Sequence, residues 1–237
     1  MTTLRETPHG TGKTVRVHDV RRFRRYAAAV LLLVPATSIG IARLFQTNDD
    51  DTRRALDQIA TNPDRQFVFA LLGYLGILTI VPAFLAAARL SRRRRPVLTT
   101  IALAVNLVAY LGSWALGAID NLFLIGGQLP AEQRGTAAVV IDKLYSSGLA
   151  GISAGVFVAG HVIGAILMGF ALRGSIPAVG WLAMVLTTPA HVVAFVILQQ
   201  PVVDMAAWLL MTVCFAYCAI AVVRTSDDDW DVPPLRR

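Results

Sequence analysis

The chain has 237 residues, of which 55% are hydrophobic and 16% charged, with a mean hydropathy of +0.59. That is too little charge for a soluble domain, where about a quarter of residues are charged. The net charge of +7 comes from 22 Lys and Arg against 15 Asp and Glu, and the placement of those charges argues against a nucleic-acid patch, because most flank long apolar runs.

Residues 1–25 are basic and polar, and are expected to form a disordered tail from Thr2 to Thr14. The apolar run that follows, Tyr26 to Phe45, is too long for a signal core and has no small-residue cleavage site before polar sequence, so it reads as a retained first span. Five further runs follow: 67–88, 97–119, 149–172, 176–198 and 202–223. Each reaches the roughly 20 residues that a helix rising about 1.5 Å per residue needs to cross about 30 Å of hydrocarbon. None alternates apolar with polar, which argues against a barrel, and lipid offers no partners to an open backbone. The expected fold is therefore an all-α six-transmembrane-helix bundle over 26–223, with a short tail at 224–237.

Sixteen of the 22 Lys and Arg fall in the segments that share a side with the N-terminus, including the run Arg92–Arg95. The positive-inside rule then puts both termini in the cytoplasm and the protein in the cytoplasmic membrane. Arg21–Arg25 and Arg92–Arg95 lie at membrane ends, where anionic lipid headgroups are the expected partners.

Two connections are expected to carry short helices on the opposite side. In 46–66, Asp51 or Thr52 caps a helix bearing Leu56, Ile59 and Ala60, which Asn62-Pro63 ends. In 120–148, Gly126-Gly127 and Pro130 read as loop, and Val139, Val140, Leu144 and Tyr145 as the apolar face of a helix packed as a connector or cap. The turns Arg173-Gly174-Ser175 and Gln199-Gln200-Pro201 make the last three spans adjacent and antiparallel. Gly151/Gly155 and Gly160/Gly164 are small-xxx-small pairs. They favour close packing within the bundle, and a homodimer through the same face is the weaker option.

Chemistry can reside only in the polar residues inside the spans, where an ionisable group is costly. The candidates for a binding pocket are His161, His191, Asp204, Asp120, Asn106 and Thr188. Pro189, between Thr188 and His191, removes a helix bond and kinks the fifth span, and the adjacent threonines are expected to satisfy the opened backbone. His161 and His191 could instead ligate a b-type haem, although counting from Gly174 offsets them by about 6 Å along the normal. Cys214 and Cys218, one turn apart, are expected to be packing residues, because a disulfide at that spacing is poor and a metal site needs more ligands. No phosphate loop, zinc motif or serine elbow is present, which favours a non-enzymatic role with no cofactor.

The order Ala55–Ala60 with Asn62–Arg65, Val81-Pro82-Ala83 ahead of a basic tail, Gly160–Gly164, Pro189-Ala190-His191, and Asp204 ahead of Ala207-Trp208 resembles a broad group of uncharacterised bacterial six-span integral membrane proteins. The resemblance covers about residues 26–223. It implies location and topology, adds weight to His161, His191 and Asp204, and supplies no activity.

Overall fold

The computed structural model describes residues 2–4, 16–47, 49 and 51–231. The elements are β1 (Thr2–Leu4), β2 (Arg16–His18), α1 (Arg21–Ala42), α2 (Thr52–Thr61), α3 (Pro63–Ser91), α4 (Pro96–Gly112), α5 (Trp114–Gln128), α6 (Arg134–Ser146), α7 (Gly148–Leu172), α8 (Ala178–Val192), α9 (Pro201–Arg224) and α10 (Asp227–Asp231). Six segments are long and apolar enough to cross a membrane: Arg21–Phe45, Pro63–Ser91, Pro96–Gln128, Gly148–Leu172, Ala178–Leu198 and Pro201–Arg224. Most of the tail expected to be disordered lies outside the described residues, as does the chain beyond Asp231. Thr2–Leu4, however, pairs antiparallel with Arg16–His18, and the first helix already begins at Arg21.

The spans close a ring in sequence order. α1 packs on α3, α3 on α4, α4 on α7, α7 on α8, α8 on α9, and α9 returns to α1. Short turns dictate this for the last three. Gly174 adopts φ +86, a conformation that glycine enters without Cβ strain, and so reverses the chain within three residues. Large apolar side chains such as Val30, Leu71, Val97 and Leu149 are exposed around the outside, where a bilayer would contact them.

α2 and α6 cover one end of the ring. Asp51 accepts a hydrogen bond from the Arg54 N–H at 3.0 Å and caps α2; Asn62 accepts from the Arg65 N–H at 3.2 Å and caps α3, with Pro63 in its first turn. Leu56, Ile119, Ala138 and Ile141 form a small core joining α2, α5 and α6. This corrects two expectations. The third span does not end at 119: it breaks at Ser113, whose hydroxyl donates to the Tyr110 carbonyl at 2.7 Å, and continues as α5 to Gln128. Gly126-Gly127 is not loop but the site where α2 lies on α5, because a Cβ on Gly127 would stand 2.4 Å from Ile59. The inward face of α6 is Ala138 and Ile141, while Val139, Val140 and Tyr145 are exposed.

The other end holds the start of α1, the end of α9 and α10. Arg25, buried on α1, donates to Asp227 at 2.8 Å and also to the carbonyls of Val223 and Thr225, so it caps the C-terminus of α9. Arg21 pairs with Asp19 and Asp228, Arg93 with Asp229, and Arg89 lies over the Trp230 ring. The basic stretches are therefore engaged in part by the chain's own acidic tail, and Arg21 and Arg25 in particular are paired internally.

Candidate functional site

Buried polar side chains concentrate in the half of the bundle nearest α2 and α6. There a cavity of about 400 Å³ opens between the helices, with His161 (α7), His191 (α8), Asp120 (α5), Tyr110 (α4), Trp208 (α9) and Arg43 on its walls. Arg43 sits in the single 3-10 turn, Arg43–Phe45, that ends the first span.

His191 is the hub. Its Nδ1 hydrogen-bonds Asp204 Oδ1, and the Trp208 indole N–H points at the same nitrogen from 3.1 Å. One ring nitrogen carries either a proton or a lone pair and cannot serve both. Asp204 is ion-paired to Arg43 at 3.4 Å, so it acts as the acceptor and the proton lies on Nδ1.

Arg43 is held on several sides. Its Nη1 donates to Gln46 Oε1 at 2.9 Å, and its guanidinium lies 5.7 Å from the Trp208 ring and 5.8 Å from that of Phe195. Asp204, Gln46 and Phe195 also border a second, surface recess of about 360 Å³. The Arg43–Asp204 pair thus stands at the partition between a recess at the α2/α6 end and the buried cavity.

His161 stacks on Phe157, with ring centroids 4.6 Å apart and planes 14° apart. Its Nδ1 lies 2.9 Å from the Phe157 carbonyl oxygen, which can only accept, so this tautomer also bears its proton on Nδ1. His161 Nε2 is buried and has no partner, and neither has the Tyr110 hydroxyl, which burial places against Phe84 and Phe157. Arg43 Nε, on the same wall, is also buried without a hydrogen-bond partner. Buried polar atoms are almost always satisfied, and three convergent exceptions on one cavity mark a site that a ligand or water completes.

The two imidazoles are 5.8 Å apart between centroids. After Val192 the fifth span passes into a π-helical segment, Val193–Leu198, and ends at Gln199 in the left-handed region, φ 50. Pro189 does lie within the helix, but the threonines do not heal it. Thr187 donates to the Ala207 carbonyl of α9 at 2.7 Å and Thr188 faces the Val162 carbonyl of α7 at 3.4 Å, so both tie α8 to its neighbours.

Of the expected pocket residues, His161, His191 and Asp120 line the cavity, and Asp204 binds the hub from behind. Asn106 and Thr188 are not on its wall. Asn106 donates to the Ala102 carbonyl at 2.8 Å and packs against Gly164. Sequence reasoning missed Arg43, which lies near the end of the first apolar run. Its position at the end of an apolar run, spaced from Asp204 by the whole bundle, gave no signal of pairing.

The glycine face of α7 is largely consumed within the chain. A Cβ on Gly160 would lie 2.7 Å from Ala109, and one on Gly164 2.7 Å from Asn106, both on α4; only Gly155 meets open space and Gly151 merely approaches the Tyr145 carbonyl. Cys214 and Cys218 are free thiols fully buried in the main core. Among the described residues no three His, Cys, Asp or Glu side chains gather as a metal site would require. Comparison with protein-family models, with curated proteins and with solved structures finds no match to this chain.

Proposed function

We propose that this is a multi-pass protein of the cytoplasmic membrane that binds a small ligand in the cavity beneath α2 and α6, as the recognition step of transport, sensing or partner support, without catalysing a reaction. The observation that carries the reading is the set of buried polar groups without a hydrogen-bond partner, His161 Nε2, the Tyr110 hydroxyl and Arg43 Nε, on the wall of one cavity. The excess of Lys and Arg at the end bearing the termini supports a cytoplasmic location for that end and an outward-facing cavity.

The test is thiol labelling in whole cells. With Cys214 and Cys218 replaced by alanine, Ala154→Cys on the cavity wall is expected to react with a small membrane-impermeant methanethiosulfonate added outside. Labelling only in inverted vesicles would reverse the orientation, and no labelling from either side would remove the open cavity.

The second reading is a b-type haem between His161 and His191, favoured by the unpartnered His161 Nε2 and by imidazole rings 5.8 Å apart. A Soret band in the purified protein that disappears in His161→Ala and His191→Ala would establish it; a featureless visible spectrum from folded protein supplied with haem would remove it.

A further inference from the structure

We infer that the cavity takes the ring of a lipid-soluble quinone, which enters it from the bilayer; this rests on the reading of the cavity as a ligand site. The chemistry follows from three buried polar groups on the wall that lack a hydrogen-bond partner. Arg43 Nε can only donate, whatever the protonation of the groups around it, so the ligand must bring an acceptor. The Tyr110 hydroxyl donates or accepts. His161 holds its Nδ1 proton against the Phe157 carbonyl, so its Nε2 accepts from a hydroxyl while the ring is neutral and donates to a carbonyl once it is charged. Oxygen atoms that exist as carbonyl or as hydroxyl meet all three groups. An ammonium would leave Arg43 Nε unmet, and a plain hydrocarbon would leave all three.

Placement sets the shape. In the ring of spans α1 stands opposite α7, with α3 and α4 between them on one side and α8 and α9 on the other. Arg43, which follows α1, and His161 on α7 therefore face the cavity from opposite sides, and a ligand that meets both carries oxygen on two edges. The ring planes of Phe157 and His161 are 14° apart and those of His161 and Trp208 7° apart, a set of near-parallel faces that suits a flat body. A para-quinone is a flat ring with a carbonyl at each end.

Entry is from the side. The π-helical segment Val193–Leu198 packs on α8 and α9 rather than on α7. Val158 on α7 and Val196 in that segment both belong to the cavity wall, yet they are 52% and 62% exposed. Both lie within segments long and apolar enough to cross a membrane, where an exposed side chain meets lipid. The seam between them gives an apolar ligand dissolved in the bilayer a way into the cavity.

The experiment measures binding of three probes to the full chain in lipid nanodiscs by equilibrium dialysis, with empty nanodiscs subtracted. They are duroquinone, durene (the same methylated ring without its carbonyl oxygens) and the trimethylbenzoquinone that carries a prenyl chain in place of one methyl. Duroquinone is expected to bind about tenfold or more tighter than durene, and the prenylated quinone at least as tightly as duroquinone. Tyr110→Phe removes a hydroxyl that has no partner in the protein; it is expected to weaken duroquinone about threefold or more and to leave durene unchanged. If that variant does not fold, His161→Phe replaces it with the same expectation. Equal binding of duroquinone and durene, or a quinone preference undiminished in the folded variant, would overturn the ligand class and leave the cavity as a binding site. Much weaker binding of the prenylated quinone than of duroquinone would overturn entry from the bilayer. Binding of none of the three above empty nanodiscs would overturn the cavity reading itself, and this inference with it.

Discussion

At the end of the bundle where α1 begins and α9 ends, large side chains are fully buried together; at the end covered by α2 and α6, they stand back around open space. Phe84, Met211, Cys214, Phe215 and Cys218 are all fully buried in the first region, and Thr99 there donates to Ser91 at 2.9 Å between α4 and α3. The second region keeps His161 Nε2 and the Tyr110 hydroxyl buried and unmatched. Lipid removes most of the hydrophobic drive between helices, so close packing is what holds the first region. The cavity region gives up that packing and relies on an ion pair, Arg43 with Asp204, to which His191 Nδ1 is hydrogen-bonded. One end thus keeps the ring closed, and the other is left free to hold something.

The contrast can be broken most forcefully at Asp204. Asp204→Ala leaves Arg43 buried without its partner and is expected to cost roughly 3–5 kcal/mol; adding Arg43→Gln should recover part of the loss. A double-mutant cycle by thermal denaturation in detergent measures this, and strict additivity would mean that the pair is not coupled. Phe84→Ala probes the packed end, where the emptied space is expected to cost roughly 3 kcal/mol, whereas Phe195→Ala, on the cavity wall, should cost clearly less. Equal losses would erase the distinction. Gly169→Ala sharpens it: the new Cβ would meet Val185 at 2.6 Å and the Trp181 carbonyl at 2.8 Å, at an expected cost of about 1–3 kcal/mol, against less than about 0.5 kcal/mol for Gly155→Ala, which meets nothing.

The smallest effect is expected in the cover. Arg134 and Arg53 hydrogen-bond Asp57 at 3.0 and 3.1 Å and hold its carboxyl below the usual carboxylate range. A depressed folded-state pKa adds stability above the unfolded value of about 3.9, and that stability is lost as pH falls through the folded value. Proteolysis of the α2–α6 cover should thus be unchanged between pH 7 and 5 and rise only in stronger acid. A rise already at pH 5–6 would implicate another group.

The parts legible in the sequence were those written in length and in local chemistry. Six apolar runs gave six spans, and Asp51 and Asn62-Pro63 gave the start and the end of α2, because caps and proline breaks depend on near neighbours. What stayed hidden depends on distant partners. Gly126-Gly127 looks like a turn until Leu56 and Ile59 are laid against it. The inward face of α6 was misassigned because Val139 and Val140 are more apolar than Ala138 but face away from the small core. Asp120, His161 and His191 could be nominated because charge and imidazole are rare in a span, whereas Asn106 and Thr188 carry the same signal and spend it on helix packing.

The ring has one seam that joins the beginning of the chain to its end, and this sets the order in which the molecule can be made. Arg43 leaves the biosynthetic machinery on the first span, and Asp204 follows 161 residues later, on the last. Until then the guanidinium must reach toward headgroups or water from the end of its helix. Arg25 likewise waits for the carbonyls of Val223 and Thr225. Both clasps come within reach only when α9 is inserted, so a chain truncated before it would be left with two unpaired cations on α1, a ready mark for quality control to read.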